Sequence, residues 1–232
     1  MTTRRTFFVF TAATLAASAH SADQECAVFN KARQAALDPA GAVQRLKDGN
    51  ARFVAGRSIH CDLMTQVRAT ATGQAPFAAI VGCIDSRVPP ELVFDQHIGD
   101  VFVARVAGNF VNVDIIGSLE FATKLAGAKA IVVLGHSDCG AVKGAIDDVK
   151  LGNLTATLGN IRPAVAKVAA LKGSHTSKDA TFVQLVAEQN AKDAAALLLS
   201  ESTVLRDLAG AGQLTVAAAM HDLATGVVRW LA

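Results

Sequence analysis

No cluster of lysines and arginines interleaves with aromatics anywhere in this 232-residue chain, and the net charge is only +2. Together these absences exclude a nucleic-acid or polyanion surface and point to a small partner. Tyrosine is missing altogether, so no site that needs a phenol can be built. There is no Cys-x-x-Cys, which argues against a thiol-redox protein. Beyond the first residues no apolar segment runs uninterrupted by charges or glycines, so the sequence offers no permanent membrane anchor. Repeats, low-complexity linkers and composition breaks are also lacking. With 51% hydrophobic and 18% charged residues, the remaining reading is one domain with a sizeable core.

The start of the chain reads differently. "MTTRRTFFVFTAATLAASAHSA" has a basic beginning at Arg4 and Arg5, an apolar stretch from Phe7 to Ala17 and an Ala-x-Ala site at Ala17-Ser18-Ala19. This predicts a signal peptide over residues 1–19 and a periplasmic mature protein of residues 20–232. Thr3-Arg4-Arg5-Thr6-Phe7-Phe8 resembles a twin-arginine signal, which exports folded proteins; the other reading is an ordinary secretory signal holding two arginines.

Past the leader, "DPAGAVQRLKDGNARFVAG" spaces Val43, Leu46, Phe53 and Val54 on a helical period and predicts a helical arm over 38–56, broken near Gly49-Asn50. Three apolar strands are expected in "PFAAIVGCIDSR", "DVFVARVAGNF" and "AKAIVVLGH", uniformly apolar as strands covered on both faces should be. Helical patterns occupy Asp114 to Leu125 and Gly140 to Val149, and more helices fill Asn153 to Leu208. "LTVAAAMHD" and "VVRWL" read as the last strands, joined by a turn ending at Gly226. Alternating β and α units predict an α/β fold with a parallel central sheet flanked by helices. Ligand-bearing residues then belong at the carboxyl ends of strands. Both "GCIDSR" and "LGHSDCG" fall there.

Four cysteines occur. Cys83 and Cys139 sit among other metal-competent groups, and with His136 and a carboxylate at Asp85 they could complete a tetrahedral zinc set. The His136-x-x-Cys139 spacing lets one strand-to-helix turn supply two donors. Cys26 and Cys61 flank the helical arm; in an oxidising compartment they are either bridged, tethering the arm, or two free thiols. His60, His97, His175 and His221 lack ligand spacing and read as surface or satisfied histidines, one of which could shuttle protons.

"CIDSRVPPELVFDQHIGDVFVARVAGN" followed by "GHSDCGAVKGA" resembles the β-class carbonic anhydrases, with their Cys-x-Asp-x-Arg and His-x-x-Cys signatures. The likeness runs from "LKDGNARFVAG" to the last strand. It implies reversible hydration of carbon dioxide to bicarbonate and a proton. It also implies a homodimer or dimer of dimers in which N-terminal helices embrace the partner. Carried over by position, Cys83, His136 and Cys139 hold one zinc ion per subunit, while Asp85 and Arg87 form a dyad that leaves a fourth zinc position to water. Zinc acidifies that water and supplies the attacking hydroxide. Two thiolates damp the pull of the metal, so activity should rise toward alkaline pH. Asp85 would ligate zinc only in the closed state of some relatives, which bind bicarbonate through a Trp, an Arg and a Tyr. Here Ile80 stands at the Trp position, tyrosine is absent and Arg105 keeps the Arg, so an open site is expected. Gln74, Phe102, Ala107 and Phe121 match substrate-pocket positions, with Gln74 often contributed by the partner subunit. The competing functions are hydrolysis of carbonyl sulfide or carbon disulfide on the same scaffold and a non-catalytic zinc-binding protein.

Overall fold

The computed structural model describes residues 26–172 and 175–232. The predicted leader, residues 1–19, lies outside the described residues.

The arm is made of α1 (Lys31–Ala36), α2 (Pro39–Val54) and α3 (Leu63–Thr70). Asn30, Asp38 and Asp62 cap these helices by accepting from first-turn amides, and Pro39 opens α2 where its missing N–H costs nothing. In contrast to the expected break, α2 runs straight through Gly49-Asn50. A glycine in a helix usually signals weakness, but here it marks close approach: a Cβ at Gly49 would lie 1.8 Å from the Phe94 carbonyl oxygen. Asn50 sews the same spot to two loops, donating to the carbonyls of Val93 (3.0 Å) and Gly226 (2.9 Å) and accepting from Val228 N (2.9 Å).

Strands β1 (Ala78–Gly82), β2 (Val101–Arg105), β3 (Ala130–His136), β4 (Thr215–His221) and β5 (Val228–Trp230) form one sheet in the order β2-β1-β3-β4-β5. The first four are parallel; β5 returns antiparallel after the turn at Gly226. Between them lie α4 (Pro90–Val93), α5 (Val113–Glu120), α6 (Gly140–Ile146), α7 (Leu154–Gly159), α8 (Arg162–Lys172), α9 (Ala180–Glu201) and α10 (Thr203–Gly210). Two expected helices shift at their ends. The helix expected to Leu125 closes with a wider π turn, Phe121–Leu125, and the one expected to Val149 stops at Ile146.

Every residue of β1 and β3 is buried. Their alternating side chains feed two cores. Ala79, Val81, Ile131 and Val133 pack with α8 and α9 on one face, while Ile80, Val132 and Leu134 meet Leu46, Phe77 and Phe94 on the other. Strand β2 departs from the expected double cover, because it is an edge strand with only half-buried side chains. The chain leaves β1 toward β2 on one side while β3 lies on the other, so the sheet has its switch point between β1 and β3.

Candidate metal centre

At that switch point the carboxyl ends of β1 and β3 bring Cys83, His136 and Cys139 together, with their donor atoms within 4.8 Å of one another. All three are buried. Cys83 follows the last residue of β1, His136 ends β3, and Cys139 caps α6 three residues later. Asp138 takes a left-handed conformation (φ 56°) that turns the chain back so both donors share one side. The turn is tied to the end of β4: Ser137 N donates to His221 O, and Leu223 N donates to Ser137 Oγ, both at 2.9 Å.

The donor chemistry fits a soft or borderline divalent cation. His136 Nδ1 lies 2.9 Å from the Ser137 carbonyl, a bond that requires the proton on Nδ1. Its buried Nε2 then faces the sulfurs with no hydrogen-bond partner. A lone pair so placed is what a metal ligand needs. Cys83 Sγ accepts from Gly108 N at 3.3 Å. The neighbouring Cys139 thiol, and after it the amides of Gly108 and Asp85, lower the Cys83 thiol to about 4, against the opposing effect of burial. Cys139 is pushed up, first by sharing its proton with Cys83 and then by burial. One thiolate is thus already favoured before any cation contributes, and a divalent ion would favour the second.

Asp85 stands at the rim, its Oδ2 3.9 Å from His136 Nε2. Arg87 holds it as a fork: Nε to Oδ1 at 2.9 Å, the second guanidinium nitrogen to Oδ2 at 2.7 Å, and the Arg87 amide to Oδ1 at 3.0 Å. That grip keeps the carboxyl well below the usual carboxylate range.

The pocket residues divide. Ala107 adjoins Gly108 and so lies beside the donors, whereas Phe102 pairs in register with Ala79, four residues or ~13 Å up β1 from Cys83. Phe102 and Phe121 meet edge to face, centroids 6.2 Å apart, in a groove of about 740 Å³ along the β2 edge. Gln74 is exposed before the start of β1, with the five-residue strand of ~17 Å between it and Cys83. Gln74, Phe102 and Phe121 are therefore not gathered around the donors of their own chain. Cys26 and Cys61 are joined in a disulfide.

Some contributors lie outside the three donors and the dyad. Asn190, buried in α9, donates to Gly108 O at 2.7 Å, fixing the residue whose amide serves Cys83. A lone amide amid "LVAEQNAKDAA" was the available signal. Arg105 donates to the carbonyls of Cys83 and Asp85. His221 departs from the expectation of a surface or satisfied histidine: it is buried, pairs in register with His136, and its Nδ1 has no partner. Burial, then the neighbouring His136, lowers its basicity. His97 is satisfied on one side only: Nε2 meets the Ile59 carbonyl at 3.0 Å, while its buried Nδ1 lies 3.6 Å from Asp100 Oδ2 without a hydrogen bond.

Comparison with known proteins places this geometry. The family model described as carbonic anhydrase matches residues 78–228. Carbonic anhydrase 2 of Mycobacterium tuberculosis is 36% identical over 190 residues, covering 82% of this chain and 91% of that one. Among solved structures, the β-carbonic anhydrase CafA of Aspergillus fumigatus superposes with a TM-score of 0.66 at 26% identity, over 83% of this chain and 89% of that chain. A structure of the tetrameric β-carbonic anhydrases from Sordaria macrospora does so with a TM-score of 0.64 at 26% identity, over 72% and 90%.

Proposed function

This chain belongs to the β-class carbonic anhydrases, and from that premise we propose that it hydrates carbon dioxide reversibly using one zinc ion held by Cys83, His136 and Cys139. The observation that supports this most directly is the Arg87 fork on Asp85 beside the three soft donors. With both carboxylate oxygens engaged, Asp85 is drawn to its guanidinium partner and would not compete with the reacting water for the ion that Cys83, His136 and Cys139 would hold.

When bound, zinc makes a water acidic enough to supply hydroxide near neutral pH. The side chains do the rest. Asp85, ionised through its ion pair, accepts a hydrogen bond from the reacting water and aims its lone pair at the substrate carbon. Gly108 N–H and the Ser137 carbonyl hold Cys83 Sγ and the His136 ring in place. Ala107 contributes apolar wall, as a small nonpolar gas requires. Bicarbonate leaves and the proton goes to solvent.

Because Gln74, Phe102 and Phe121 lie away from their own donors, we assign them to the site of a second copy. Support comes from the half-buried edge strand β2 and from Val113 and Phe121, which line the groove with 79% and 49% of their surface exposed. A dimer, or a dimer of dimers as in the tetrameric Sordaria proteins, would cover them. The residues 1–19 act in this reading as an export signal that delivers the protein to the periplasm. Among the described residues no helix is long and apolar enough to cross a membrane.

Stopped-flow carbon dioxide hydration from ~pH 6.5 to ~pH 9, with zinc quantified, tests the reading. Expected are about one zinc per chain, activity climbing with pH, and a loss of roughly 100-fold in Asp85→Asn with zinc retained. Bound zinc without hydration at any pH would overturn carbon dioxide as substrate and direct the search to carbonyl sulfide, carbon disulfide or a non-catalytic role.

A further inference from the structure

One donor and the acid of the dyad come from a single three-residue segment, Cys83-Ile84-Asp85, that has already left the sheet. Ile84 is 60% exposed, so its side chain does not anchor the segment. Arg105 does. It ends β2, opposite Gly82 in register, and its side chain reaches up beneath the segment. Nε donates to the Cys83 carbonyl at 2.7 Å and a terminal guanidinium nitrogen donates to the Asp85 carbonyl at 2.6 Å.

We infer that Arg105 is a positioning residue, whose planar fork fixes the Cys83 sulfur and the Asp85 carboxylate relative to each other by gripping the two carbonyls on either side of Ile84. The inference rests on the reading of Cys83 and Asp85 as parts of a zinc centre. A guanidinium suits the task because its donors are coplanar and pre-set. An ammonium is a point donor on a flexible stem and could serve one carbonyl well but not both. Residue 105 is exposed, so water would replace it at these carbonyls with little effect on global stability. Its loss should therefore be felt at the metal centre and hardly at all in unfolding. The same two bonds turn Nε and one terminal nitrogen toward protein carbonyls, away from service as an anion receptor.

The test uses the mature protein, zinc-loaded and cobalt-substituted, as wild type, Arg105→Gln and Arg105→Lys. Arg105→Gln should release zinc to a chelator about tenfold faster and shift the cobalt ligand-field and thiolate charge-transfer bands. Its kcat should fall about tenfold with KM little changed, while the melting temperature of the metal-free protein stays that of wild type. Arg105→Lys should recover part of each loss; if the glutamine variant does not fold, the lysine variant supplies the same readouts. A folded Arg105→Gln with wild-type cobalt bands and zinc release overturns the inference. So does bicarbonate that perturbs the cobalt bands of wild type but not of Arg105→Gln, since Arg105 would then be the anion receptor. Wild type that takes up neither zinc nor cobalt overturns the zinc reading, and this inference with it.

Discussion

Asn190 shows how far the support of a single sulfur extends. Its amide grips Gly108 O, and Gly108 N grips Cys83 Sγ, so the middle of α9 steadies a residue at the end of β1. Gly108 itself is held to its conformation, with φ +87° and a Cβ that would lie 2.4 Å from Ile161. Asn190→Leu fills similar space but leaves the Gly108 carbonyl without its donor. It should lower stability by about 1–3 kcal/mol and weaken zinc binding by about tenfold or more, as measured by denaturation of zinc-loaded and metal-free protein and by zinc competition. Stability lost equally in both forms, with unchanged zinc affinity, would reduce Asn190 to packing. The donors themselves were legible in the sequence because a sulfur, an imidazole and a guanidinium-carboxylate pair declare their chemistry by type and spacing. Asn190 and Gly108 were not, since a hydrogen bond across 82 residues leaves no local pattern. His221 was misjudged for the same reason: its burial comes from strand pairing with His136, which its neighbours in sequence do not record.

At the scale of elements, the segment from α4 to β2 is held by a polar strap. Ile59 N donates to Asp95 Oδ1, Arg52 Nε donates to Asp95 Oδ2, and the Ile59 carbonyl meets His97 Nε2. Asp100, followed by the Ile59 carbonyl, raises the pKa of His97 against its burial. A raised histidine contributes stability that is fully present below the unfolded value, ~6.5, and is lost as pH rises through the folded one. The stability gap between wild type and His97→Gln should therefore be widest near ~pH 6 and shrink by ~pH 9, read from urea midpoints. A gap that grows with pH would mean the imidazole works neutral. Elements were legible where helical periodicity was sustained, as over 38–56 and from Asp114, and the caps Asp38 and Asn112 explain where these helices start. The false break at Gly49 arose because a helix glycine has two physical uses, flexibility and close approach, and sequence alone does not distinguish them.

For the whole molecule, the unresolved element of the sequence reading was what covers β2. Val-Phe-Val looks the same whether its cover comes from the chain's own helices or from another copy, so apolar composition predicted burial without naming the neighbour. If the second copy is that neighbour, Phe121→Asp should sediment as a monomer, keep its zinc and lose activity by tenfold or more, because charge in an apolar contact is costly to desolvate. A fully active monomer would return Gln74, Phe102 and Phe121 to a merely structural role. The parallel sheet, and the donors' place at its carboxyl ends, were by contrast readable from the alternation of strands and helices, whereas the switch point emerged only with the spatial strand order.

The cystine joining Cys26 to Cys61 spans 35 residues and encloses α1 and α2, yet it touches neither the donors nor the dyad. A link that closes only where oxidant is available makes each molecule a keeper of its own itinerary. Two hydrogens of mass and two alkylatable sulfurs separate a chain that has met an oxidising compartment from one that has not. A maleimide mobility shift on whole cells would thus chart the traffic of this protein without asking anything of its catalysis.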